Sequence, residues 1–140
     1  MSLYKTILVT LEGTPTDRAV IEHIKPLAQV MKSRVVLLHV ASGVAAKYHR
    51  SDAAGEEVEE SRADLERVRK ELATAGIAAE AELAFGEPAK EIIKWVKRKG
   101  CDLVAMSTHG HGFVGDLVHG TTAFEVQHNL SIPVLLLRAK

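Results

Sequence analysis

The sequence predicts a single-domain α/β protein built on a parallel sheet. Three observations carry that prediction. Short apolar runs alternate with longer segments whose apolar residues recur at helical spacing. Two of the helical segments stop at a glycine, Gly76 and Gly100, just before the next apolar run. The 140 residues suit one domain, 1–140, with no internal repeat, low-complexity tract or linker. Strands that alternate with helices imply a parallel sheet covered on both faces.

In chain order, Tyr4–Leu11 holds Ile7, Leu8 and Val9 and reads as a buried strand. Glu12 to Asp17 breaks it. Thr14 is the expected helix cap, with Pro15 at the first helical position and Asp17 where a capping-box acid stands. Val20, Ile24, Leu27, Ala28 and Met31 give the buried face, and Pro26 is expected to kink the helix because it lacks an N–H. Arg34–Val40 is the second strand. Ala41–Gly55 has little pattern and reads as a loop or short helix. Glu56–Ala75 is a helix with a narrow stripe of Val58, Leu65, Val68 and Leu72, stopped by Gly76. Ala78–Ala84 is the third strand. Pro88 opens a helix that buries Ala89, Ile92, Ile93 and Val96, with Trp95 off the stripe. Lys97, Arg98 and Lys99 read as a solvated helix end that suits the dipole. Asp102–Met106 is the fourth strand, Thr121–Asn129 a helix, and Pro133–Arg138 the fifth strand.

Composition excludes several functions. Eighteen basic and eighteen acidic residues leave no net charge, against broad nucleic-acid binding. No apolar stretch approaches the ~18 residues of a membrane span. A signal-peptide core is not expected. The single cysteine, Cys101, reads as a buried, inert thiol in a reducing compartment. The expected location is the cytoplasm.

The chemistry concentrates between Leu103 and Thr122. An apolar run there leads into a loop with Gly110, Gly112, Gly115 and Gly120, then a helix. Glycines admit a ligand close to the backbone, and unpaired helix-start amides attract anions. No Gly-Lys-Ser/Thr is present, so this is not a P-loop. The string Gly110-His-Gly112-Phe-Val-Gly115 follows the fourth strand, not the first, and no acidic ribose partner follows it; a dinucleotide dehydrogenase is set aside. His109, His111 and His119 lack the further ligands that zinc uses, so no metal site is assigned. Ser107 near His109 does not have the nucleophile-elbow context, and no catalytic residue is assigned. His39 reads as a core or sheet-end histidine with a satisfied hydrogen bond.

Ser107-x-x-Gly110, nine residues, then Gly120-Thr121 resembles the G-2x-G-9x-G-(S/T) motif of the universal stress protein family. The flanks agree: Lys5-Thr-Ile-Leu-Val9, Leu38-His39-Val40, Gly86-Glu-Pro-Ala89, Asp102 to Gly110, and Ser131-Ile-Pro-Val-Leu-Leu-Leu-Arg138. The resemblance covers essentially the whole chain. It implies a three-layer, Rossmann-like sandwich of the adenine nucleotide alpha hydrolase type, with five strands in the order 3-2-1-4-5. It implies ATP as ligand, with Mg2+, and a homodimer through the last strand, Pro133 to Arg138. Carried onto this chain, it sets Thr10, Leu11, Glu12 and Val40 at adenine and ribose. Met106 and Ser107 lie beneath the ribose. His109, Gly110, His111, Gly120, Thr121 and Thr122 surround the phosphates.

The chain departs from the family pattern in ways that bear on binding. Ser107 replaces the first motif glycine, Glu12 an aspartate and Thr10 a proline. Ser107–Thr122 contains no Lys or Arg. Phosphate charge would then fall to backbone amides, a divalent ion or protonated histidine, and binding is expected to tighten as pH falls through ~6–7. The expected function is an ATP-binding stress or signalling module acting through conformation, dimerisation or partner binding. A slow ATPase or autophosphorylating phosphotransferase is one alternative, and a dimeric scaffold without nucleotide is another.

Overall fold

The structure, a computed structural model, describes residues 3–41, 52–108 and 114–138. Strand β1 is Thr6–Thr10, and its Ile7, Leu8 and Val9 are buried, as an apolar run in a sheet covered on both faces must be. Helix α1 is Asp17–Met31 and buries Val20, Ile21, Ile24 and Ala28. It starts later than the expected Thr14 cap. Thr16 holds the N-cap position without a side-chain cap bond. The reason is local: the Asp17 amide donates to the Thr14 carbonyl at 3.0 Å, closing a turn ahead of the helix. The helix runs through Pro26 and ends where Lys32 adopts a left-handed φ of 57°.

Strand β2 is Arg34–Ala41, and helix α2 is Asp52–Thr74. Ala41 therefore closes a strand, and the rest of the segment expected as loop, up to 51, lies outside the described residues. Leu65 and Leu72 are buried in the core and Val68 packs against it, so that part of the expected stripe faces the core; Val58 is half-buried. The Gly76 amide donates to Ala73 at 3.0 Å and the Ile77 amide to Leu72 at 2.9 Å, with Gly76 at φ 81°. That pairing is a Schellman stop, and Leu72 and Ile77 at its ends are both buried in one apolar cluster.

Strand β3 is Ala79–Phe85, helix α3 is Pro88–Lys99 and strand β4 is Leu103–Thr108. Helix α4 is Val114–Asn129 and strand β5 is Val134–Arg138. Trp95 is half-buried, and the Arg98 guanidinium lies 5.0 Å from its ring centroid. Lys97 and Arg98 are exposed, but Lys99 turns to the sheet, with Nζ 3.1 Å from Glu80 and 3.5 Å from Glu82. The dipole argument missed that pairing, because it considers the helix alone. Cys101 is buried, and burial, then the neighbouring Asp102 charge, pushes its thiol up to about 11.

The sheet has five strands in the order β3-β2-β1-β4-β5, and every pairing is parallel. Ile7, Val9, Val35, Leu37 and Leu103 pack with residues of α1 and α2 on one face. Leu8, Val36, Leu38, Val104 and Met106 pack with α3 and α4 on the other. The chain thus winds outward from β1 on one face, returns through α3, and continues to β4 on the other. The switch point falls between β1 and β4, the position at which open α/β sheets bind ligands.

Candidate functional site between strands β1 and β4

The pairing of β1 with β4 runs Ile7↔Leu103, Leu8↔Val104 and Val9↔Ala105. The pairing of β4 with β5 continues to Thr108↔Arg138. Thr10 and Met106 therefore stand just beyond the last paired residues of β1 and β4, at the carboxyl end of the sheet, where open α/β sheets bind ligands. Thr10 ends β1 and Leu11 and Glu12 follow it, Val40 lies near the end of β2, and Met106 and Ser107 near the end of β4. Leu11, Met106 and Ser107 are buried; Thr10, Glu12 and Val40 are half-buried. Six of the residues named from sequence thus lie at or just past the carboxyl ends of three adjacent strands.

The turn after β1 is held by side chains from two other elements. The Asp17 carboxylate accepts from the Glu12 amide at 2.8 Å and the Gly13 amide at 2.9 Å. Asp17 is only 8% exposed. Burial raises its pKa, countered by those amides and by the charge of His39. His39 Nδ1 lies 2.7 Å from the Leu11 carbonyl oxygen. A carbonyl only accepts, so Nδ1 carries the proton. The satisfied hydrogen bond expected for His39 is thus observed, on a half-buried ring near the end of β2. Asp17 acts on the strand turn rather than as a simple capping acid. Its spacing from Thr14 was visible in the sequence; the tertiary turn that points its carboxylate back to Glu12 was not.

Of the phosphate half of the expected site, only the helix residues are among those described. His109, Gly110 and His111 lie outside the described residues. Gly120, Thr121 and Thr122 do not stand at a helix start as expected, because α4 begins at Val114. In a helix from Val114, the amides without an intrahelical acceptor belong to its first four residues. Glycine costs about 1 kcal/mol inside a helix, and an apolar face that docks outweighs it. Ala123 and Val126 provide such a face, both buried against the sheet.

A separate groove of about 450 Å³ lies between α1 and β5, lined by Thr16, Arg18, His23, Leu137 and Arg138 among others. None of the nucleotide residues named from sequence lines it. No helix among the described residues is long and apolar enough to cross a membrane.

A family model described as the universal stress protein family matches residues 3–138. A universal stress protein of Thermus aquaticus is 31% identical over 139 residues, covering 97% of this chain and 100% of that protein. Universal stress protein MJ0577 of Methanocaldococcus jannaschii is 24% identical over 157 residues, covering 99% of this chain and 97% of that protein. The solved structure of MJ0577 superposes with a TM-score of 0.82 at 25% identity, over 99% of this chain and 98% of that one. Two more distant structures share the fold. One is a universal stress protein in complex with cAMP, with TM-score 0.71, 15% identity and coverage of 99% and 100%. The other, from Archaeoglobus fulgidus, is in complex with dAMP, with TM-score 0.71, 16% identity and coverage of 96% and 98%.

Proposed function

This chain belongs to the universal stress protein family, and on that premise we propose that it binds ATP, with Mg2+, at the carboxyl ends of β1 and β4. The observation that carries the reading is the early end of the β1–β4 pairing, which gathers Thr10, Leu11, Glu12, Val40, Met106 and Ser107 at the switch point. Relatives with the same fold were solved with cAMP and dAMP, which have the same adenine base. In our reading Thr10–Glu12 and Val40 take the base and ribose, and Met106 and Ser107 form the floor. The phosphates fall to His109, Gly110, His111 and the α4 residues Gly120, Thr121 and Thr122.

Binding would act by changing conformation, dimerisation or a partner surface, in the cytoplasm. The dimer would form through β5, an edge strand on which Leu136 is 40% exposed. A flat apolar edge invites pairing with a second copy.

Incubation with labelled ATP and magnesium, followed by gel filtration and analysis of the retained nucleotide, tests the proposal. One intact ATP per chain is the expected result. Turnover or covalent label would replace it with the ATPase reading, and no retained nucleotide with the scaffold reading.

A further inference from the structure

The turn after β1 has spent all its donors. The Leu11 amide donates to the Leu38 carbonyl at 2.8 Å. The Glu12 and Gly13 amides both go to Asp17. No main-chain donor of Leu11–Gly13 is left over; what the main chain of the turn presents is carbonyl oxygen, which only accepts, with the Leu11 carbonyl already accepting from His39. Gly13 is exposed at φ 79°, so the turn is open to a ligand. Two successive free amides in such a turn would form a concavity that binds acceptors and anions. Asp17, buried at the first residue of α1, fills it from the protein side. His39 fixes the neighbouring Leu11 carbonyl by donating to it. The turn is thereby held in one geometry by α1 and β2 together.

We propose that Asp17 is a specificity-determining residue. By occupying the Glu12 and Gly13 amides, it leaves an acceptor-only edge that takes the exocyclic amino group of adenine and rejects a 6-oxo base. The assignment rests on the nucleotide reading above. His39 is the positioning residue of the same edge. An acceptor facing the 6-oxo oxygen would leave both unpaired, and a mismatch of that kind costs roughly tenfold or more in affinity.

Calorimetry with magnesium ATP and magnesium ITP, on wild type, Asp17→Ala and Asp17→Asn, tests the assignment. Amide hydrogen exchange at Glu12 and Gly13 is measured beside it without nucleotide. Wild type is expected to prefer ATP at least about tenfold and to protect both amides. Asp17→Ala should bring the two affinities within about threefold and expose both amides to exchange. Asp17→Asn, with one acceptor oxygen in place of two, should fall between; it carries the test if the alanine variant does not fold. An unchanged ATP-to-ITP ratio in a folded variant overturns the assignment, as does a wild-type preference for ITP or GTP. Unprotected wild-type amides also overturn it. Wild type that protects both amides but binds ATP and ITP equally overturns the specificity alone. Wild type that binds neither nucleotide overturns the proposed function, and this assignment with it.

Discussion

Arg18 on α1 and Glu71 on α2 meet in a two-point ion pair, Nη1 to Oε1 at 2.8 Å and Nη2 to Oε2 at 2.9 Å. Lys25 adds a third contact to Glu71 at 3.0 Å, and Glu22 also pairs with Arg18. Two helices covering one face of the sheet are tied at a single carboxylate. The Arg18 hydrogen bond, then that of Lys25, holds the Glu71 carboxyl down at about 2, against an ordinary value of 4.5. A depressed acid stabilises the fold above its ordinary pKa, and the contribution disappears as pH falls from about 4.5 to about 2. Arg18 is half exposed, so solvent screens the pair. Glu71→Gln is expected to cost about 1 kcal/mol at pH 7 and much less near pH 2. Urea unfolding at the two pH values measures this; an equal cost at both would detach Glu71 from the acid limb.

Gly76 ends α2 in a left-handed conformation, φ 81°, and a Cβ built there meets nothing within 4 Å. Its replacement therefore carries conformational cost without steric clash. Gly76→Ala should destabilise by about 1 kcal/mol, with thermal unfolding as the readout. A loss several times larger would mean that the turn is crowded.

Cys101 is buried with its thiol pushed up to about 11. Thiolate is the reactive species, so an aromatic disulfide reagent at pH 7.5 should modify the folded protein on the order of 100-fold more slowly than the urea-unfolded chain. Comparable rates would place the thiol at the surface.

Leu136 on edge strand β5 is the apolar residue offered to a second copy in the proposed dimer. Leu136→Lys puts a charge on that edge and is expected to raise the dimer dissociation constant at least about tenfold, read by sedimentation. A variant as dimeric as wild type would move the interface elsewhere.

His111 is the test of the phosphate loop. ATP binding should tighten as pH falls through ~6–7 in wild type and lose that dependence in His111→Ala. The same pH dependence in both proteins would remove His111 from the account.

The fold was legible because its signals are local. Ile7–Val9 and Val35–Leu38 are continuous apolar runs, which only a strand buried on both faces accommodates. Gly76 and Gly100 mark helix ends through a backbone conformation that they alone adopt without strain. The strand order was legible only through family resemblance, since Ser107, Gly110, Gly120 and Thr121 carry it and periodicity does not. The start of α4 was misread because Gly115 and Gly120 look like loop residues. Their cost is met by tertiary contacts of Ala123 and Val126, which no local rule contains. The tie of Lys99 to Glu80 and Glu82, and the reach of Asp17 to Glu12 and Gly13, depend on how elements meet in space. Residue types suggested neither.

The central claim is that an adenine nucleotide binds at the carboxyl ends of β1 and β4. Titration of magnesium ATP into isotope-labelled protein, followed by amide NMR, tests it most directly. The account predicts saturable shifts that are largest at Thr10, Leu11, Glu12, Val40, Met106 and Ser107. No shifts at millimolar ATP, or shifts confined to Thr16, His23 and Arg138 in the groove between α1 and β5, would contradict it.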